Sequence, residues 1–500
     1  MTAAYHELEQ RFARLNALRE AAGVLNWDSS VMMPSGGAEA RSEQLAALDV
    51  TAHHMLTDTA MGDLIGRAEQ ERDRLDVWQA ANLREMRRAW LHATAVPADL
   101  VEALTRATKA SEMVWRDARP ASDFAMVRPY LAEVVRLTRQ MADAKAEALD
   151  KTPYDALLDQ FEPDGDSREI QGVFDDLAQF LPGFLDDVLA HQDRQPAPMT
   201  PEGPFPEAAQ TALAKRLMET VGFDFNHGRL DTSLHPFCGG VPDDLRVTTR
   251  YDESDFTSAM MGVLHETGHA MYERGLPERW RRQPVGEARG MALHESQSLL
   301  VEMQACRGPE VVGYLAPVFR EAFNGRGDAW SADNFRRLYT RVGRSFIRVD
   351  ADEVTYPAHV ILRYRLETAM IRGDLAVADL PGAWNEGMHA LLGITPPNDR
   401  LGCLQDIHWF DGALGYFPTY TMGAIAAAQL YEAACRDVPT IPGHLGQGDF
   451  APLLTWLREH VHGQGAHLST DEVLAQATGR ALDPEAFKRH LKRRYLQDAA

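Results

Sequence analysis

The sequence predicts a mainly α-helical protein with one short piece of β-sheet. Three observations predict it. Five long segments repeat their apolar residues with the helical period, a single segment alternates like a strand, and glycine and proline cluster at a few breaks. With 500 residues, 45% hydrophobic and 25% charged, the chain is ordinary for a globular protein. It is long enough to bury most of its apolar surface.

The first helix is predicted over residues 5–26, where Leu8, Phe12, Leu15, Leu18, Ala22 and Leu25 form one stripe with charges opposite. Met33-Pro34-Ser35-Gly36-Gly37 then breaks the pattern. The helical period returns over 76–95, 99–115, 126–148 and 168–191. A second break, Gln195-Pro196-Ala197-Pro198 through Pro206, divides an N-terminal helical half, 1–195, from a C-terminal half, 207–500, that carries the chemistry. In the second half, residues 244–251 (DLRVTTRY) alternate and are rich in β-branched types. Asp244, Arg246, Thr248 and Arg250 share one face of that strand. Asp252 and Ser254 are candidate N-caps for a helix from about 255 to Arg274, closed by Gly275 and Pro277. A further helix spans roughly 286–306 and stops at Gly308-Pro309.

Composition excludes several roles. Asp+Glu exceed Lys+Arg by 73 to 51, a formal charge of -22, which repels nucleic acid. The basic cluster Lys488, Arg489, Lys492, Arg493 and Arg494 reads as a solvated helix face. Cys238, Cys306, Cys403 and Cys435 are widely spaced and form no CxxC pair, so reduced thiols are expected. The first residues hold no apolar stretch of signal-peptide type, and no run approaches the roughly 18 apolar residues that span a bilayer. A cytoplasmic protein that uses no membrane is the expectation.

The 255–274 helix contains His265-Glu266-Thr267-Gly268-His269. Histidines at i and i+4 lie one turn apart on one face, so both imidazoles can reach a single Zn²⁺. The glutamate beside the first histidine supplies a general base. Gly268 inside this helix costs roughly 1 kcal/mol against alanine, which a close-packed neighbour such as a metal or a backbone would explain. A catalytic zinc needs a third ligand. Glu273 lies about 12 Å along the axis from His265 and cannot close a tetrahedron. Glu278 falls in a turn and Glu287 at the start of the next helix. Glu295, in the middle of that helix, would face both histidines if the two helices pack antiparallel, with Glu302 two turns on as a reserve. His265, His269 and Glu295 then leave one position open for water.

The residues also resemble the thermostable metallocarboxypeptidases of the carboxypeptidase Taq type. Six ordered motifs carry the resemblance across nearly the whole chain: His235-Pro236-Phe237; Asp244-x-Arg246-x-Thr248; the HETGH above; His294-Glu295-Ser296-Gln297; Ile347-Arg348-x-x-Ala351-Asp352; and Gly402-x-x-Gln405-Asp406-x-His408-Trp409. LNWD at 25–28, GGAEAR at 36–41 and GYFPTY at 415–420 match as well. The resemblance implies a large helical body with a deep groove that the 1–195 half covers, a small antiparallel sheet beside the histidine helix, and a homodimer. It implies removal of single residues from the C-termini of peptides, with broad preference. It carries the ligand roles onto His265, His269 and Glu295 and the base role onto Glu266. The chain departs from the common pattern at Leu299, Leu300 and Val301 after HESQS, and at Pro357 and Ala358 after Tyr356; these point to a subgroup and bear on substrate preference.

One zinc ion per chain is the expected cofactor, with Co²⁺ or Mn²⁺ as substitutes. His408 and Tyr420 are the candidate oxyanion donors, both from family motifs. Arg348 is the first candidate for the substrate's free α-carboxylate, because a guanidinium fork pairs with both oxygens; an ion pair with Asp350 or Asp352 is its structural alternative. Arg246 is the second candidate, on a strand that could lie along a peptide as an edge strand does. His235 and His294 are candidates for orienting substrate or ligands. The competing functions are a zinc oligopeptidase that cuts internal bonds, a catalytically inactive helical binding protein, and, more weakly, an aminopeptidase.

Overall fold

Periodic apolar stripes become long helices wherever a cap starts them and a glycine or proline break stops them. In the computed structural model, which describes residues 2–497, the first stripe forms the helix Ala3–Val31, begun by Thr2, whose Oγ1 accepts the Tyr5 amide. Tyr5, Leu8, Phe12 and Leu15 are fully buried, whereas Leu18 and Leu25 are only half-buried. The other expected helices appear as Val77–Thr94, Ala98–Ala121, Phe124–Leu149 and Ser167–Gln192. Among the described residues, no helix is long and apolar enough to cross a membrane.

The chain forms two compact units, each assembled from three separated segments. One takes Met1–Ala93, Ala197–Tyr339 and Gly423–Ala486; the other takes Thr94–Pro196, Thr340–Met422 and Phe487–Ala500. The proline-rich break at 195–206 therefore marks one crossing between units. It does not part a first half of the chain from a second.

The first unit contains the sheet and the histidine helix. The sheet has three strands, β1 (Gly228–Thr232), β2 (Cys238–Val241) and β3 (Asp244–Thr249), in the order β1-β3-β2. β2 runs antiparallel to β3, with Cys238 opposite Val247, as expected. β1 runs parallel to β3, with Arg229 opposite Arg246, so the sheet is mixed. The strand read from DLRVT is therefore central, and its backbone is paired on both sides. The histidine helix, Phe256–Gly275, is capped by Asp255, one residue beyond the expected caps; Asp255 Oδ1 accepts the Thr257 amide at 2.8 Å. Its first residue, Phe256, stacks on Trp330 at 5.7 Å and meets Phe205 and Phe319 edge-on at 4.8 and 5.2 Å. This aromatic knot fixes the start of the helix three turns before its chemistry.

The helix expected over 286–306 begins later. A short 3₁₀ turn, Pro284–Gly286, precedes it, and the α-helix runs Met291–Leu299. It continues as a π-helical segment, Leu300–Cys306. Glu287 thus lies outside the helix, where it accepts the Asn16 side-chain amide at 3.1 Å.

In the second unit, Glu367 on the helix Tyr356–Arg372 is fully buried. It accepts hydrogen bonds from Tyr154 Oη at 2.5 Å and Trp409 Nε1 at 3.0 Å. Burial pushes its carboxyl up to about 7, against the pull of those two donors. The folded protein therefore holds this proton more tightly than the unfolded chain does. The associated stability is full below pH 4.5, the unfolded value, and is lost as pH rises through about 7. The loss is on the order of 3 kcal/mol. Thermal unfolding followed from pH 5 to 8 is expected to show this decline in the wild type and a flatter profile in Glu367→Gln; identical profiles would show that Glu367 does not set the slope.

Candidate metal centre

The two histidines of the HETGH turn and Glu295 of the next helix come together. His265, His269 and Glu295 each offer a ligand atom, and these atoms all lie within 4.8 Å of one another. Glu295 Oε2 is 3.4 Å from His269 Nε2 and 3.9 Å from His265 Nε2. Burial pushes the Glu295 carboxyl up, but His265 and His269 more than reverse that and bring it below the usual range. Burial and the neighbouring His294 push His269 down to about 4. An ionised carboxylate and a neutral imidazole are the forms in which such groups bind a divalent cation. Glu295 and His269 are in them. Against its burial, His265 is held up at about 10 by Glu295 and Glu302, so a cation must displace a proton from that ring. The donor set, two nitrogens and one oxygen, suits such an ion.

Close backbone approach makes this convergence possible. A Cβ at Gly268 would lie 2.5 Å from the Gln297 carbonyl oxygen and 2.6 Å from the Ser298 Cα. The neighbouring backbone, one of the two explanations the sequence allowed, thus accounts for a glycine within the helix. Gly423, on the helix Pro418–Asp437, does the same from another side: a Cβ there would lie 2.8 and 2.9 Å from Glu295 Cβ and Cγ. Ser298 Oγ donates to the Glu295 carbonyl at 2.6 Å and approaches its Oε2 at 3.4 Å.

Both imidazoles are held from behind. Glu302 Oε2 lies 3.0 Å from His265 Nδ1, on the ring edge away from Glu295. The reserve ligand of the sequence reading therefore meets the histidine rather than joining the converging set. His269 is backed by the ring of His294, stacked at 4.6 Å and 29°. His294 Nε2 is in turn 2.9 Å from Glu273 Oε1. Glu266 is buried. Burial, helped by Glu295 and Glu302, raises its carboxyl to about 7 against the lowering pull of His265 and His294.

Arg246 does not fill the role foreseen for an edge strand. β3 is central, so no peptide can add to it. The Arg246 fork is occupied by Asp244, Nε to Oδ1 at 2.8 Å and Nη2 to Oδ2 at 2.7 Å, and its face covers Trp27 at 4.3 Å. The DxRxT and LNWD motifs thus form one structural clamp. Thr248 completes it: its Oγ1 accepts the Phe237 amide at 2.9 Å and the Ser233 hydroxyl at 2.8 Å. This fixes the loop that leaves His235 exposed.

Arg348 is buried in the second unit, and its partner is neither Asp350 nor Asp352. Its Nε and Nη2 donate to Asp406 Oδ1 at 3.0 and 2.8 Å, and its Nη1 to Tyr356 Oη at 3.0 Å. Arg363, which the sequence reading did not single out, donates to Asp406 Oδ2 at 2.6 Å and to Gln405 Oε1 at 2.7 Å. Asp352 instead accepts backbone amides, among them Thr355 at 3.0 Å. Two guanidiniums share one carboxylate, so this cluster keeps one positive charge in excess. His408 sits beside it. Its Nε2 is 3.5 Å from Tyr420 Oη, and burial pushes it down to about 4.

Comparison with known proteins follows the same lines. The sequence profile of the carboxypeptidase Taq (M32) metallopeptidases matches residues 7–495. Thermostable carboxypeptidase 1 of Thermus thermophilus is 37% identical over 506 aligned positions, covering 99% of this chain and 98% of that protein. Carboxypeptidase 1 of Bacillus subtilis is 33% identical, covering 98% of each. Among solved structures, metallocarboxypeptidase 1 of Trypanosoma cruzi superposes with a TM-score of 0.97 at 40% identity, covering 99% of both chains. The M32 carboxypeptidase of Deinococcus radiodurans gives 0.93 at 33% identity, again with 99% of both chains covered.

Proposed function

This chain belongs to the carboxypeptidase Taq (M32) family of metallopeptidases, and from that premise we propose that it is a zinc carboxypeptidase of broad preference, releasing single residues from peptide C-termini. The observation that carries the proposal is the convergence of His265, His269 and Glu295 within 4.8 Å. These three residues would hold the ion. When bound, it supplies Lewis acidity, polarising the scissile carbonyl and making water easier to deprotonate. Co²⁺ or Mn²⁺ fit the same donors.

Glu266 is the general base. It takes a proton from the attacking water and returns it to the leaving amine. Its buried setting supports this role, because a carboxyl raised to about 7 is matched to taking and giving a proton near neutrality. His408 and Tyr420, neighbours at 3.5 Å, are the proposed donors to the tetrahedral oxyanion. Arg348 is the proposed receptor for the free α-carboxylate. Its fork is engaged by Asp406 and Tyr356; what supports the role, unlike at Arg246, is the positive charge that it and Arg363 leave in excess around Asp406. His235 is proposed as a substrate contact on the strength of its exposure. Homodimerisation, on the family resemblance alone, and a cytoplasmic setting, on the widely spaced cysteines, complete the reading.

An oligopeptidase cutting internal bonds would use the same three ligands. A peptide offered with a free and with an amidated C-terminus separates the two, with products followed by mass. Amidation is expected to slow release on the order of 30-fold or more, the effect of losing a buried charge pair worth about 2 kcal/mol or more. Equal cleavage of both peptides, or internal fragments as first products, would overturn the carboxypeptidase reading.

A further inference from the structure

The two metal-facing histidines are held by different means. His265 has an acid behind it, Glu302 at 3.0 Å from Nδ1. His269 has none: its Nδ1 is buried without a hydrogen-bond partner among the described residues, and a stacked ring holds it instead. Glu302 is itself gripped. Arg307 Nη2 donates to Glu302 Oε1 at 2.6 Å, and Arg307 Nη1 to the Tyr339 carbonyl at 3.3 Å. Glu302 is buried. It stands on the π-helical segment Leu300–Cys306, directly after the α-helix that bears Glu295. A π turn is wider than an α turn. It turns Glu302 back from where seven residues of α-helix would leave it. The outcome is that two acids from one continuous helical run address opposite nitrogens of a single imidazole, Glu295 at 3.9 Å from Nε2 and Glu302 at 3.0 Å from Nδ1.

We propose that Glu302, locked by Arg307 on this π-helical turn, is the positioning residue that orients His265 and fixes its tautomer for the metal. The inference rests on the proposed metal site. An ionised carboxylate only accepts hydrogen bonds, so Nδ1 must carry the proton. Nε2 then presents its lone pair towards Glu295. The negative charge behind the ring also makes that nitrogen a stronger donor to a cation. Arg307 acts through Glu302, keeping the carboxylate aimed. His269 lacks any such partner, so the contribution falls on one of the two imidazoles.

The test measures release of Zn²⁺ from the loaded full-length protein to the chromogenic chelator 4-(2-pyridylazo)resorcinol. Wild type, Glu302→Ala, Glu302→Gln, Arg307→Met and the Glu302→Ala/Arg307→Met pair are compared, with thermal unfolding of each metal-free protein alongside. Glu302→Ala is expected to release metal roughly 10- to 100-fold faster. Glu302→Gln should fall between, because its amide oxygen still accepts the Nδ1 proton but brings no charge. Arg307→Met should shift release in the same direction, and adding it to Glu302→Ala should change little. The Co²⁺-loaded Glu302→Ala protein should show an altered visible spectrum, which a merely structural role would leave unmoved. Release within twofold of wild type in Glu302→Ala overturns the inference while the metal site stands. If that variant does not fold, the near-isosteric Glu302→Gln decides by the same criterion. A wild type that binds no metal overturns both the inference and the site beneath it.

Discussion

Glutamine in place of Glu266 is expected to slow C-terminal residue release by roughly 10²- to 10⁴-fold while the protein keeps its full complement of metal. The two halves of this expectation have separate physical grounds. Glu266 is not among the three groups whose ligand atoms converge within 4.8 Å, so removing its charge leaves the donor set whole. The glutamine side chain has nearly the same shape, so the buried pocket around it is undisturbed. What it lacks is the ability to accept a proton. In the wild type that ability is tuned by the site itself: burial, with the acids Glu295 and Glu302, brings the carboxyl up to about 7 against the pull of His265 and His294. Metal content and single-turnover release, measured on one preparation, check both halves together. If metal and activity are lost together, Glu266 is a structural member of the site. If release stays within tenfold of wild type, proton transfer runs through another group.

The parts of this site that could be read from the sequence are those fixed by local geometry. Two histidines one helical turn apart must share a face, and the helix Phe256–Gly275 places them so. The choice of Glu295 needed only that a second helix follow closely. Gly268 marked the crowding, and its neighbour proved to be the backbone at Gln297 and Ser298. What could not be read depends on contacts far along the chain or on departures from regular geometry. Arg348 finds Asp406 across 58 residues, so no local spacing gave its partner. The place of Glu302 depends on a π-helical turn that no apolar period announces. The central position of β3 depends on a parallel partner, GRLDT, whose five residues carry two charges and do not read as a strand. The grouping of the chain into units built from three segments each is likewise a matter of tertiary contact.

Loss of the Glu295 carboxylate is expected to remove the metal, and a single added methyl at Gly423 is expected to do part of the same damage. Glu295→Gln leaves two neutral imidazoles and an amide. The site then has no negative charge among its three donors, and a divalent cation is held far less well. The fall in affinity should exceed the roughly 10- to 100-fold that an outer hydrogen-bond partner costs. Gly423→Ala leaves all three donors in place and moves one. Its Cβ would sit 2.8 Å from Glu295 Cβ, 2.9 Å from Cγ and 3.0 Å from the Ala292 carbonyl oxygen. Carbon atoms do not rest at such distances, so either the Glu295 stem or the helix beneath it must yield. Glu295 Oε2 has little room to yield, being 3.4 Å from one imidazole and 3.9 Å from the other. A shift of a few tenths of an ångström changes the bite of the carboxylate without changing its chemistry. Competitive titration of Zn²⁺ on both variants distinguishes charge from position. Glu295→Gln should lose high-affinity binding altogether, whereas Gly423→Ala should bind one ion per chain with reduced affinity. Wild-type affinity in Glu295→Gln would remove this residue from the metal centre, and with it the arrangement on which the proposed peptidase chemistry depends.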